Sequence, residues 1–140
     1  DHNVVVVDWG AGAQTPNYIA ARNRVGSTGG AVARIIDLLD ANGLSTFDKI
    51  NIVGHSLGAH VAGFAGKQVT RGRINAIFAT DPAGPLFSAN NPAERLHNTD
   101  AFYTEAIHTN AGTLGFDQPI TMASFYPNWG SSQPGKYLFI

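Results

Sequence analysis

Short apolar runs of strand length recur along this chain. A continuous run of β-branched residues suits a strand that is buried on both faces of a parallel sheet. We predict four such strands, at residues 3–7, 49–53, 74–79 and 101–107. An interior strand needs neighbours on both sides, and the first run begins almost at residue 1. We therefore expect a domain that is incomplete at this end.

A helical pattern separates the first two runs. Apolar residues recur there at the i, i+3, i+4 and i+7 spacing of one helix face; they are Val32, Ile35, Ile36 and Leu39. Asn42-Gly43 is a typical helix end. A helical connection is predicted at residues 15–24, and residues 27–30 are predicted to cap the next helix. The order strand, helix, strand, helix predicts a right-handed parallel α/β sheet.

The sequence Gly54-His55-Ser56-Leu57-Gly58 stands between the second strand and a helix rich in small residues. This G-x-S-x-G pattern is typical of a nucleophile elbow, in which a serine sits on a tight strand-to-helix turn. Side chains two residues before and after the serine are expected to collide with the strand or the helix, and Gly54 and Gly58 avoid this. We predict Ser56 as a nucleophile and the Leu57 backbone N–H as an oxyanion donor.

Asp81 directly follows the third predicted strand and precedes the turn Pro82–Pro85. Sites in open α/β sheets form at the carboxyl ends of the strands. A purely structural role, as a turn-forming aspartate before proline, stays open. In the catalytic interpretation, Asp81 orients a histidine through its Nδ1–H.

A serine hydroxyl needs a base, in the chain order Ser, Asp, His. The five histidines are His2, His55, His60, His97 and His108. His55 lies inside the elbow, and His60 is expected to pack or cap one helical turn behind Ser56. His108 ends a predicted strand, where a hydrogen bond that holds loop geometry is expected. We therefore expect the catalytic histidine to lie outside this chain.

The composition suits a globular domain. Lys and Arg number 9 against 10 acidic residues, so no strong field attracts nucleic acid or an anionic membrane. No apolar run approaches the ~18 residues of a membrane span.

Gly10 and Gly12 invite a dinucleotide interpretation, but that fingerprint needs a third glycine where Thr15 stands. We expect no cofactor.

Several ordered motifs carry a resemblance to a known family. After the elbow they are Ala59–Gly63, Asp81–Pro85, Ile107–Asn110 and Phe125–Asn128, and Asp8-Trp9 after the first strand also matches. Over residues 3–135 the chain resembles the pancreatic lipase family, particularly insect secreted lipases and phospholipase-A1-like members.

The resemblance implies an α/β-hydrolase fold with a mostly parallel central sheet. Residues 1–140 would be one partial lipase domain, truncated at both ends. Ser56 would be the nucleophile, Asp81 the triad acid and the Leu57 N–H one oxyanion donor. The second oxyanion donor, the lid and the triad histidine would lie outside the chain. The resemblance also implies a secreted, extracellular protein that acts on lipid esters at a lipid–water interface.

The chain departs from the family in three places. Lys136 stands where the family has a cysteine, and residues 136–140 read as foreign sequence. Residues 121–124 replace a G-H-A-D-like stretch, which leaves the packing there open. The family's calcium loop maps onto Arg95, His97 and Asp100; a neutral imidazole is a poor calcium ligand, so we expect no metal.

Two segments bear on the substrate. Residues 111–117 form a short glycine-rich loop beside the presumed site, which resembles phospholipase-like members. A group of aromatic residues is expected in the core rather than as an interfacial patch; these are Phe125, Tyr126, Trp129, Tyr137 and Phe139.

Two functions from different classes remain. The first is a carboxylic-ester hydrolase of lipid esters, of triacylglycerol lipase or phospholipase A1 type, working through an acyl-enzyme. The alternative is a catalytically silent lipid-binding or yolk-storage relative. Such relatives have typically lost the serine, so the intact elbow and Asp81 favour the enzyme.

Overall fold

The computed structural model of this protein describes residues 2–13 and 16–135. Its centre is a four-stranded sheet in the order β1-β2-β3-β4, with every neighbouring pair parallel. The strands are β1 Asn51–His55, β2 Ala76–Thr80, β3 Tyr103–Ile107 and β4 Ala123–Phe125. The predicted parallel α/β sheet is confirmed. Because the strands are parallel, their carboxyl ends share one edge.

Within the described residues, three α-helices accompany the sheet. They are α1 Gly10–Ala13, α2 Tyr18–Ala41 and α3 Leu57–Gln68. Asn17 is the N-cap of α2, and its side chain accepts a hydrogen bond from the Ala20 N–H. Asn42 is its C-cap, and Gly43 follows with a left-handed φ of 67°. The predicted end of this helix is therefore confirmed. None of the described helices is both long and apolar enough to cross a bilayer.

The predicted helix cap at residues 27–30 is wrong, because α2 runs continuously through these residues. Gly29, in this stretch, allows close contact between α2 and α3. A Cβ on Gly29 would lie 2.4 Å from the Phe64 Cβ and 2.8 Å from the Val61 carbonyl oxygen. The missing side chain thus lets α2 lie directly against the α3 backbone.

The predicted strand at residues 3–7 is also wrong. The segment has no strand partner in the described structure, and Val4 to Val7 are each at least 50% exposed. A strand is held by backbone hydrogen bonds to a neighbour. In the described part of the chain β1 pairs on one side alone, with β2, and Val53 on it is exposed.

The apolar core lies between the sheet and helices α2 and α3. Its fully buried side chains include Ile74, Ile77 and Leu96. A Cβ on Gly66 would lie 2.1 Å from the Asp100 carbonyl oxygen. Close packing of α3 against residues 96–100 therefore fixes the segment that leads into β3.

Candidate active site

Ser56 occupies the turn between β1 and α3. Its backbone has φ 53° and ψ −119°, a conformation that L-residues rarely adopt. Ser56 is the N-cap residue of α3, yet its side chain makes no capping hydrogen bond. The residue is half-buried. Its hydroxyl is therefore not used to hold the helix.

The two elbow glycines have different roles. A Cβ on Gly54 would lie 2.3 Å from the Gly58 carbonyl oxygen and 2.8 Å from the Ala59 nitrogen, so strand and helix meet there without a side chain between them. A Cβ on Gly58 would have no neighbour within 4 Å. The predicted collision is correct for Gly54 and wrong for Gly58, because the crowding lies on one side of the turn.

Leu57 is the first residue of α3. The first N–H groups of a helix have no acceptor within the helix and carry its positive dipole end. The Ala59 N–H donates to the Ser56 carbonyl at 3.1 Å. The Leu57 N–H is therefore suited to an anionic oxygen beside Ser56.

Asp81 follows the end of β2 with a left-handed φ of 47°. Its Oδ1 accepts hydrogen bonds from the N–H groups of Thr109 and Asn110, both at 2.9 Å. Its own N–H donates to the Ile107 carbonyl at 2.7 Å. The carboxylate is thus fixed by the residues that follow β3.

The elbow and the Asp81 turn are joined through the backbone. The Ser56 N–H donates to the Thr80 carbonyl at 3.0 Å, and the Ala83 N–H donates to the Ser56 carbonyl at 3.2 Å. The structure therefore brings Ser56 and Asp81 to the carboxyl ends of adjacent strands.

Some residues around Asp81 were not identified from the sequence as part of the site. A Cβ on Gly115 would lie 2.6 Å from the Asp81 Oδ1, so this glycine leaves room for the carboxylate. The Thr109 and Asn110 amides hold the same oxygen. The motif Ile107–Asn110 contains Thr109 and Asn110, and it was the sequence signal from which their role could have been inferred.

His55 and His60 are held by backbone groups. The His55 Nδ1 lies 2.9 Å from the Thr80 carbonyl. The buried His60 ring lies between the Ala83 carbonyl, 2.8 Å from Nε2, and the Leu96 N–H, which donates to Nδ1 at 3.1 Å. Burial lowers the pKa of His60 from 6.5 to about 4. His60 is therefore a neutral packing residue, as predicted.

His108 is fully buried at the end of β3. Its Nδ1 lies 2.8 Å from the Phe116 carbonyl, and its ring stacks on Tyr126 at 4.4 Å. Its Nε2 is buried without a hydrogen-bond partner among the described residues. Burial lowers its pKa, so the neutral ring donates Nδ1–H to Phe116. The predicted loop-holding role agrees with this geometry.

The residues considered for a metal interact with each other and with the backbone. The buried Asp100 carboxylate forms an ion pair with Lys67 and accepts the His97 N–H at 2.8 Å. The Arg95 guanidinium donates to the carbonyls of Ser88, Ala89 and Leu96. No group of three potential metal ligands among His, Cys, Asp and Glu occurs in the described ranges.

The loop at residues 111–117 borders an open cleft of about 330 Å³. Phe87, Gly115 and Phe116 are among its lining residues, whereas Ser56 and Asp81 are not. The Phe116 N–H donates to the Pro82 carbonyl at 2.7 Å, which ties the loop to the turn after Asp81. The cleft is therefore next to the candidate site rather than part of it.

The prediction that the aromatic group forms core is wrong for two residues. Phe125 is 51% exposed and Trp129 is 94% exposed. Tyr126 is half-buried against His108. Tyr137 and Phe139 lie outside the described residues.

Comparisons with known proteins agree with the motifs. A family model described as Lipase matches residues 1–140. The chain is 44% identical over 135 residues to Lipase member H-B of Xenopus laevis, which covers 96% of this chain and 29% of that protein. It is 42% identical over 143 residues to Phospholipase A1 of Polybia paulista, covering 94% of this chain and 44% of that protein. The chain thus spans less than half the length of these relatives.

Proposed function

This chain belongs to the lipase family, and on that premise we propose that it carries the nucleophile and acid of a carboxylic-ester hydrolase that acts on lipid esters. Residues 1–140 are then part of one α/β-hydrolase domain. The observation that supports this most is the backbone of Ser56, held at φ 53° on a turn that is hydrogen-bonded to the Asp81 turn.

In the proposed mechanism the Ser56 Oγ attacks the ester carbonyl carbon while a histidine takes its proton. The Leu57 N–H and the N-terminus of α3 stabilise the oxyanion of the tetrahedral intermediate. The intermediate collapses and the alcohol leaves with the proton from the histidine, which forms the acyl-enzyme. Water, deprotonated by the same histidine, then releases the fatty acid and restores Ser56.

Asp81 has one oxygen suited to the histidine. Its Oδ1 already accepts the Thr109 and Asn110 N–H groups, so we assign Oδ2 to the imidazole Nδ1–H. Two backbone amides already fix the carboxylate. Asp81 therefore loses no further side-chain rotamer freedom when it orients the imidazole. The histidine itself is assigned to residues outside the described ranges.

The test uses protein expressed from the complete transcript. Ser56→Ala should lower kcat for ester hydrolysis by at least about a thousandfold, because it removes the nucleophile. A fluorophosphonate should label Ser56, as located by peptide mass spectrometry. The exposed Ser132 provides the matched control, and Ser132→Ala should leave both readouts unchanged. A folded parent protein that neither hydrolyses esters nor takes the label would instead favour the silent lipid-binding alternative.

Substrate class and location belong to the same proposal. The relatives are named as lipases and as a phospholipase A1, and the short loop at residues 111–117, which resembles phospholipase-like members, weighs against an enzyme that acts on triacylglycerol alone. We also propose secretion and action at a lipid–water interface, following the family resemblance. The near-zero net charge of −1 gives no attraction to nucleic acid.

A further inference from the structure

The turn after β4 has an unusual backbone. Residues Pro127–Gly130 contain two consecutive non-glycine residues in the left-handed region, Asn128 at φ 47° and Trp129 at φ 63°. This conformation is unfavourable for an L-residue with a Cβ, which crowds the following carbonyl oxygen. A glycine in place of Trp129 would avoid that strain. Strain of this kind is often kept where a side chain has a function.

Hydrogen bonds hold this turn on both sides. The Asn128 side-chain amide donates to the Gln133 Oε1 at 3.0 Å, and the Gln133 amide donates to the Pro127 carbonyl at 2.8 Å. The Ala111 N–H donates to the Gly130 carbonyl at 2.8 Å. Trp129 is therefore presented from a fixed turn, with 94% of its surface exposed.

The turn is connected to the candidate active site. The Gln133 amide also donates to the Thr109 carbonyl at 3.3 Å, and the Thr109 N–H binds the Asp81 carboxylate. Trp129 thus lies at the carboxyl edge of the sheet, the edge that holds Ser56 and Asp81.

The surrounding sequence indicates which surface Trp129 meets. From Gln118 to Gly135 the chain has no charged residue. Phe125, at the carboxyl end of β4, is 51% exposed. Indole combines an apolar body with one N–H donor and is enriched at membrane–water interfaces. An uncharged segment with exposed apolar side chains suits a neutral or zwitterionic lipid surface.

We propose that Trp129 anchors the protein on a zwitterionic lipid surface and brings the carboxyl edge of the sheet to that surface. This inference rests on the proposed lipid-ester function. Because the segment carries no charge, the anchoring depends on burial of the indole rather than on attraction to anionic headgroups.

The test measures binding to phosphatidylcholine vesicles by flotation. Protein from the complete transcript carries Ser56→Ala, so that no lipid is consumed. Adding Trp129→Gly should weaken partitioning about tenfold or more, because the main buried side chain is lost. Glycine also relieves the positive φ, so thermal unfolding should show no loss of stability. Partitioning of the parent should change little between low and high salt.

The matched control is Leu44→Ala. Leu44 is 73% exposed and precedes β1, so it lies toward the opposite edge of the sheet. This change should leave partitioning unaltered. Equal partitioning with and without Trp129→Gly would overturn the anchor, as would a Trp129 indole that quenchers cannot reach in lipid-free protein.

Failure of the proposed function gives a different result. If Ser56-intact protein does not hydrolyse a monomeric short-chain ester while vesicle binding still depends on Trp129, the anchor stands and the hydrolase does not. If the ester is hydrolysed while vesicle binding ignores Trp129, the hydrolase stands and the anchor is wrong.

Discussion

His60 shows how one buried side chain joins three segments of the chain. It belongs to α3, it bonds Ala83 in the turn after Asp81, and it accepts the N–H of Leu96. Its ring also stacks on Phe87 at 3.7 Å. The two hydrogen bonds need one donor and one acceptor nitrogen, so they require the neutral tautomer. Protonation would place a hydrogen on Nδ1. Two donors, the Nδ1–H and the Leu96 N–H, would then face each other.

This requirement predicts an acid-sensitive stability. Unfolded His60 titrates near 6.5, whereas in the folded protein its pKa is about 4. Between these values the unfolded state binds a proton that the folded state does not, so the free energy of unfolding falls as the pH falls. The loss should approach about 3 kcal/mol near pH 4. Urea unfolding at pH 7.5, 6, 5 and 4.5 measures it.

The control for this prediction is His60→Asn. Asparagine can still accept from Leu96 but has no proton to gain, so the variant should be less stable at pH 7.5 and lose less stability toward pH 4.5. The lowered pKa of His108 contributes in the same direction to both proteins and cancels in the comparison. A difference between the two proteins that stayed constant with pH would contradict the assignment to His60.

At the scale of elements, the contact between α2 and α3 depends on a missing side chain. Gly29→Ala places a methyl group 2.4 Å from the Phe64 Cβ, so the helices must separate. We expect a net loss of about 1–3 kcal/mol, because overpacking exceeds the gain in helix propensity. Thermal or urea unfolding measures it.

Gly26→Ala is the matched variant, one turn earlier on the same helix. Its methyl group would contact the Phe64 ring at an ordinary 3.5 Å. It should therefore gain about 1 kcal/mol from helix propensity. Equal effects of the two substitutions would show that the helices do not meet at Gly29.

The errors in the sequence prediction share one physical origin. Residues 27–30 are predicted to cap a new helix because Ser, Thr and Gly are preferred at helix N-caps. The packing role of Gly29 depends on Phe64, which is 35 positions along the chain from Gly29. Residues 3–7 have strand-forming side chains, but whether they pair depends on a neighbouring strand. Local pattern gives the preference of a segment, whereas distant contacts decide the outcome.

At the scale of the whole molecule, four parallel strands bring Ser56 and Asp81 to one edge of the sheet. Within residues 2–13 and 16–135, no histidine donates to the Asp81 carboxylate, and the His108 Nδ1 lies against Phe116. The described residues thus contain the proposed nucleophile and the proposed acid, but no histidine that is hydrogen-bonded to Asp81.

The 140-residue chain expressed by itself should therefore hydrolyse a short-chain ester at least about a thousandfold more slowly than protein from the complete transcript. A pH-stat or chromogenic assay measures this difference. Near-equal rates that disappear in Ser56→Ala would contradict the prediction. If His108→Asn also abolished them, His108 would become the base.

The proximity of Ser56 and Asp81 was easier to predict from sequence than the bounds of the helices and strands around them. Ser56 and Asp81 each follow a strand directly, and the carboxyl ends of parallel strands share an edge, so their approach follows from chain order. The exposure of Trp129 could not be predicted in this way. Aromatic residues are usually buried, whereas Trp129 lies on a left-handed turn and is 94% exposed.

One side of β1 has no strand partner among residues 2–13 and 16–135, and this has a consequence for handling the protein. A strand with unpaired N–H and C=O groups along one side can pair with the same strand of another molecule. Val53 on β1 exposes 73% of its surface, and the valines at residues 4–7 add a second exposed segment of high strand propensity. Preparations of the chain by itself should therefore be kept dilute and cold, because intermolecular pairing at this edge becomes more frequent with concentration and competes with refolding.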